Sequence, residues 1–426
     1  MTGFERLTAR EAARLIAYGG MTAEALVRSC LERIEDREPI VHAWAFLDPD
    51  AAIRQARERD RTPPTGPLHG IPVGIKDIID TADMPTEYGS PLYRGHCPGR
   101  DAECIARVRA AGAVILGKTV STEFAYPSPV KTRNPHDPKH TPGGSSSGSA
   151  AAVGDSMIPL ALGTQTGGST LRPAAYCGAF AFKPTYGRID LGGVKPLAPS
   201  LDTIGLIARS VDDLALLNAV LGGDDPRRAT ITRRHRPRIG FCRTPFWKQA
   251  QKATRGALAD AVAALTESGA VVEDVALPKE VREMGDGIDR VISVEAPLSF
   301  AREYEKHREQ LGGTVRRLIE RGLAVPPEDV QRVRRAQMVS AIAVDRMFDR
   351  YDALLTPSAA GEAERGRGSG SAVFNGMWTA MHLPCITIPS GRGPNGLPVG
   401  VQLVGRGGRD RELLGLARRV ARWLID

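Results

Sequence analysis

Two Gly-Gly-Ser triplets, Gly143-Gly144-Ser145 and Gly167-Gly168-Ser169, constrain this chain more than any other feature, their serines lying 24 positions apart (169 − 145). Consecutive glycines reach left-handed and otherwise unusual dihedrals and leave N–H groups unshielded, so each triplet can form a tight turn that presents a hydroxyl. Between them Ser149 to Leu162 is small and apolar, which suits a short buried helix limited in length by Pro159. Such a run would bring the two turns to one place. Glycine and serine clusters also make flexible linkers. The apolar run between these two, and the Arg172-Pro173 pair with further apolar residues after the second, argue for a site instead.

At 426 residues, 42% hydrophobic and 25% charged, the composition is that of an ordinary soluble globular protein and excludes the disordered class. The net charge of +8 would suit an anionic partner if it were concentrated. It is spread out. The densest basic run, Arg227-Arg228 followed by Arg233, Arg234, His235, Arg236 and Arg238, reads as a solvated connection without interleaved aromatics, so no nucleic-acid partner is expected. Six scattered cysteines form no C-x-x-C pair, which predicts neither zinc nor a disulfide framework and fits reduced thiols in the cytoplasm. The stretch MTGFERLTAR has no apolar signal core and no apolar run approaches ~20 residues, so neither secretion nor a membrane span is expected.

The local grammar is α/β. Thr8 with Glu11 forms a capping-box pattern for a helix through Ala17, and Thr22 caps a second helix ending near Pro39. A helix over Ala102 to Ala111, a stop at Gly112 and a buried strand over Ala113 to Gly117 form a unit that recurs at Ala250 to Ser268, Gly269 and Ala270-Val-Val. The recurrence predicts a mixed sheet covered by helices. Further on, Pro327 to Tyr351 reads as a long helix, Thr356 to Ser371 as a mobile Gly/Ser-rich loop, and Phe374 to His382 as a short helix. Cys385 to Ile388 with Val399 to Val404 read as a hairpin. No internal boundary is convincing, which leaves one domain over residues 1–426. Its parts are N-terminal helices (1–65), a core (66–210), a helical/αβ insertion (211–350) and the C-terminal part of the sheet (351–426).

In LHGIPVGIKDIID, a strand would place Ile71, Val73 and Ile75 on one face and Lys76 on the other, with open space over Gly74. Lys76 then either reaches outward as a surface charge or stays in an apolar setting. In the second case desolvation disfavours its charged form and makes it a base, whereas none of the eight histidines carries a catalytic or metal-ligand motif. A serine needs such a base, and a second serine can relay the proton. The N–H groups of Thr166, Gly167, Gly168 and Ser169 can converge on an oxyanion, which assigns Ser169 as nucleophile and Ser145 as relay. The G-x-S-x-G pattern centred on Ser146 is a poor nucleophile elbow, because the residues before it are polar and broken by prolines rather than a hydrophobic strand.

The segments GIPVGIKDI, GGSSSGSAAAVG and GTQTGGSTLRPAAYCGAFAFKPT resemble the amidase signature family of Ser–cis-Ser–Lys amide hydrolases, and flanking phrases such as TRNPHDP, SLDTIGLIARSVDDLALL and CITIPSGRGPNGLPVGVQLVG extend the likeness over nearly the full chain. The resemblance implies a single large α/β domain, a central mixed β-sheet covered by α-helices on both faces, and no metal or cofactor. It implies Lys76 as base, Ser145 as the proton-shuttling cis-serine and Ser169 as the residue acylated. The expected partner is a small-molecule amide; a homodimer is left open. The chain departs from the family at Gln165, where an acidic residue is usual, at Thr170, where an aliphatic is usual, and at Leu171, where arginine is usual and Arg172 stands one place later. Arg172 either reaches the pocket and favours a substrate carboxylate, or pairs with structural groups of the sheet. The acyl pocket is expected from Tyr126 to Pro129, the 356–371 loop and the Phe374 to Trp378 helix. A glutaminase subunit of a tRNA-dependent amidotransferase and a non-catalytic assembly protein of the same fold are the competing functions.

Overall fold

The computed structural model describes residues 3–64, 66–231, 235–284 and 287–425. Eleven strands among them form one sheet: β1 (Trp44–Leu47), β2 (Pro72–Lys76), β3 (Val114–Thr119), β4 (Leu160–Gln165), β5 (Phe180–Lys183), β6 (Thr203–Ala208), β7 (Arg238–Cys242), β8 (Val271–Val275), β9 (Ala353–Pro357), β10 (Cys385–Arg392) and β11 (Pro398–Val404). Their order is β1-β3-β2-β4-β6-β5-β10-β11-β9-β7-β8. Parallel pairs β3-β2-β4 and β9-β7-β8 form two wings around an antiparallel centre, so the sheet is mixed as expected. Strands β2, β3, β4, β6, β9 and β11 are buried along their whole length, which requires helical cover on both faces. The fold is a large single α/β domain.

Helix starts follow the sequence closely. Thr8 and Glu11 form the capping box of Ala9–Ala17, and Thr22 accepts from the Ala25 N–H at the head of Ala23–Val41. That second helix continues two residues past Pro39, whose missing N–H falls in its last turn, and ends where His42 turns left-handed. The run between the two Gly-Gly-Ser turns is a helix and a strand rather than a helix alone. Ser147–Gly154 is helical and β4 begins after Pro159.

Two further differences concern space. The gap expected over Gly74 is filled, since a Cβ there would meet Ile158 Cδ1 at 2.6 Å. The 356–371 segment is fastened: the Thr141 N–H donates to Glu364 C=O at 2.9 Å, the Gly366 N–H to Lys139 C=O at 3.0 Å, and the Thr141 hydroxyl to Gly368 C=O. In the basic run, Arg233 and Arg234 lie outside the described residues. Arg227 pairs with Asp225 and Arg238 with Glu273.

Candidate active site

Because β2 and β4 are parallel neighbours, with Ile75 opposite Leu162, their carboxyl ends finish at the same edge of the sheet. Lys76 ends β2, and its Nζ donates to Thr164 Oγ1 on β4 at 2.8 Å and to Ser145 Oγ at 2.7 Å. All three side chains are buried. Burial holds the Lys76 amine well below the ordinary lysine range, against the opposing pull of Asp202. No carboxylate bonds to it among the described residues.

The two glycine turns meet face to face. The Ser146 N–H donates to Ser169 C=O at 3.1 Å, the Ser147 hydroxyl to Gly143 C=O at 2.7 Å, and the Thr122 N–H to Ser145 C=O at 3.3 Å. The Gly144–Ser145 peptide bond is cis. Gly143 has φ 79° with Pro173 Cα only 2.8 Å from where a Cβ would stand, and a Cβ on Gly168 would stand 2.6 Å from Asn375 Oδ1. Side chains are therefore shut out of both turns at those positions. After β4 the chain turns through Thr166, Gly167, Gly168 and Ser169, and among the described residues no protein acceptor engages their N–H groups.

Gln165, noted above as a departure from the family pattern, serves the backbone. Its Oε1 accepts from the N–H groups of Thr170 and Leu171 at 3.0 and 3.1 Å, capping the helix Leu171–Cys177, and its Nε2 donates to Thr379 Oγ1 at 3.1 Å. A neutral amide can donate and accept at once, which a carboxylate cannot. Arg172 faces both the cavity and the neighbouring glycine turn. It lines the cavity in front of Ser169, and its Nη2 donates to Gly144 C=O, while its Nε has no partner among the described residues. Burial lowers its pKa, and Tyr176 and Glu364 oppose that.

Two residues at the site went unnoticed in the sequence. Thr164 is the second hydroxyl on Lys76. Asp202 accepts from Thr166 Oγ1 at 2.5 Å and from the Leu197 and Ala198 N–H groups at 2.8 and 3.0 Å, and burial pushes its carboxyl up to about 6. The available signal was a lone acid inside the apolar stretch Leu201 to Leu206.

Ser169 opens into a cavity of about 420 Å³, within the range of small-molecule sites. Tyr126, Pro127, Ser371, Gly376 and Met377 supply part of its wall, as expected; Leu197, Phe246, Ile288 and Ile292 were not anticipated.

A mixed α/β sheet with a buried lysine bonded to a serine, beside a second glycine-held serine, points to a hydrolase. The family model described as Amidase matches residues 25–414, and the chain belongs to the amidase family, whose members are amide hydrolases. It is 35% identical to a glutamyl-tRNA(Gln) amidotransferase subunit from Chloroflexus aurantiacus, over 95% of this chain and 94% of that protein. Among solved structures, an amidase superposes with a TM-score of 0.90 at 29% identity, covering 98% of this chain and all of that one. The native peptide amidase of Stenotrophomonas maltophilia superposes with 0.84 at 30% identity, covering 98% and 96%. Among the described residues no helix is long and apolar enough to cross a membrane.

Proposed function

We propose that this amide hydrolase cleaves the carboxamide C–N bond of a small or medium amide through an acyl-enzyme on Ser169. The observation that carries the reading is the 2.7 Å bond from the buried Lys76 amine to Ser145, on a turn fastened to the Ser169 turn. Uncharged Lys76 draws the proton of Ser145, which draws that of Ser169 as its Oγ attacks the carbonyl carbon. The N–H groups of Thr166, Gly167, Gly168 and Ser169 receive the oxyanion, each worth about 3–4 kcal/mol in measured systems. The proton returns through Ser145 to the leaving nitrogen, ammonia or an amine departs, and water releases the acid by the same relay in reverse. No step needs a metal or cofactor.

Arg172 is the substrate-binding residue of this reading, taking a carboxylate beside the amide. Its support is a cavity-lining guanidinium with an unpartnered Nε. Ammonia release from a carboxylated amide and its neutral analogue tests both levels: Ser169→Ala abolishes release from either, and Arg172→Ala removes the preference for the acid. Hydrolysis persisting in Ser169→Ala contradicts the nucleophile assignment.

The 35% identity to an amidotransferase component favours a second reading, a glutaminase that hands ammonia to partner subunits. Hydrolysis by the purified chain alone separates the two. Six unpaired cysteines support a cytoplasmic location.

A further inference from the structure

The cavity in front of Ser169 is sorted by depth. Its exposed lining is Pro127, Gln249 and Asp289. Beyond the serine turn and Arg172, its buried side chains are aliphatic: Leu197, Ile292 and Met377 are each less than a tenth exposed. Ile288 is half-buried and lies over Gly376, where an added Cβ would meet its Cγ2 at 3.1 Å. Ile288 and Ile292 are one turn apart on the helix Gly287–Ser299 and so share the face turned to the cavity. Arg172 is the one charged side chain in the buried lining among the described residues.

The volume decides what this wall is for. At about 420 Å³ the cavity has room for many waters, far beyond the needs of a formyl or acetyl group. An aliphatic wall offers nothing to those waters, and a hydrocarbon body displaces them favourably. The order of events assigns the body to one side of the scissile bond. The amine leaves and water enters during turnover, whereas the acyl group stays bonded to Ser169 through both halves, so the buried wall is in place for the acyl group.

We propose, resting on the assignment of Ser169 as nucleophile, that Leu197, Ile288, Ile292 and Met377 form an acyl subsite selecting amides whose acyl body has several apolar carbons over short ones, with Arg172 free to take a carboxylate on that body. The probe is a series of n-alkyl fluorophosphonates from ethyl to octyl, with adduct formation followed by mass spectrometry. Ser169 Oγ bonds to phosphorus, fluoride leaves, and the hydroxyl proton passes through Ser145 to Lys76.

The labelling rate constant is expected to rise about three- to fourfold per methylene until the cavity is full. Ile288→Trp, which occupies the wall, is expected to lower the octyl-to-ethyl rate ratio at least about tenfold, with circular dichroism and a denaturant midpoint reporting on folding. A flat chain dependence in the wild type overturns the subsite, as does a ratio unmoved by both Ile288→Trp and Met377→Trp. Among amide substrates, an equal gain from lengthening the amine side overturns the acyl assignment. Absence of any adduct on Ser169 removes the nucleophile assignment and the subsite with it, an outcome distinct from an adduct with flat chain dependence.

Discussion

Lys76 on β2 and Lys118 on β3 are both fully buried on adjacent parallel strands, and Ile75 rather than Lys76 stands opposite Lys118 in register. Their side chains therefore leave the sheet on opposite faces. Lys118 donates to Ile79 C=O at 2.8 Å and to Thr86 Oγ1, with Asp77 Oδ1 at 3.6 Å. Burial lowers it to about 8, and Asp77 resists that. Lys76 has two hydroxyls and no carboxylate partner, with Asp202 acting only at a distance. Burial alone does not make a base. A neighbouring carboxylate keeps one amine as a structural cation, and its absence leaves the other free to be neutral.

The largest expected effect separates the two lysines by readout. Lys76→Met lowers kcat by about a thousandfold or more with the fold intact. Lys118→Met leaves Asp77 buried without its cation and costs about 3–5 kcal/mol of stability, while kcat per folded molecule stays within about threefold. Steady-state kinetics and denaturant midpoints on both variants check this. Equal losses of kcat would end the distinction.

Stability against pH sharpens it. Above its folded pKa Lys76 is neutral in the fold and charged when unfolded, so the unfolded chain binds more protons. Stability then rises with pH by about 1.4 kcal/mol per unit, from the lowered folded value up to the ordinary lysine value of 10.5. Lys118 adds the same slope from about 8 to 10.5. Lys76→Met should lose one lysine's slope below about 8, where Lys118 contributes little, and be at least as stable as the wild type near neutrality. Urea titrations across this range measure it.

Asp202 is the third test. Its charge raises the Lys76 pKa, so Asp202→Asn should move the acid limb of kcat/KM down by on the order of one pH unit. Glu295 also acts on Asp202, and the half-buried His382 ring bonds Ser200 C=O two residues away. Glu295→Gln should shift the limb less. An unmoved limb in Asp202→Asn would leave Asp202 only its bonds to Thr166, Leu197 and Ala198.

The smallest effect comes from Thr164→Val, which removes one hydroxyl from Lys76 and should lower kcat/KM about tenfold. Thr86→Val beside Lys118 should leave it within about twofold.

What the sequence revealed follows how local each cause is. Glycine pairs, caps and the alternation around Lys76 act over a few residues, so both serines, the lysine and the helix starts could be read from the letters. Thr164 meets Lys76 across 88 positions, and Gly368 is tied to Thr141 across 227, so neither the second hydroxyl nor the fastening of the 356–371 segment has a local signature. Ile288 and Ile292 are apolar residues one turn apart on a helix, and no local signal says that their shared face is turned towards the Ser169 cavity. Gln165 caps Thr170 and Leu171, which are local to it, but the hydroxyl that takes its amide N–H is on Thr379, 214 positions away, so the need for a neutral amide there has no local signature.

The central claim is that the amine at position 76 is uncharged when the enzyme works. Side-chain nitrogen NMR of selectively labelled lysine, with the Lys76 resonance assigned by its loss in Lys76→Met, reads this directly. The account predicts an amine that is already neutral on the plateau of kcat/KM, with a titration midpoint well below the ordinary lysine range that coincides with the acid limb. A Lys76 that stays charged to about pH 10, while kcat/KM is already at its plateau, would contradict it.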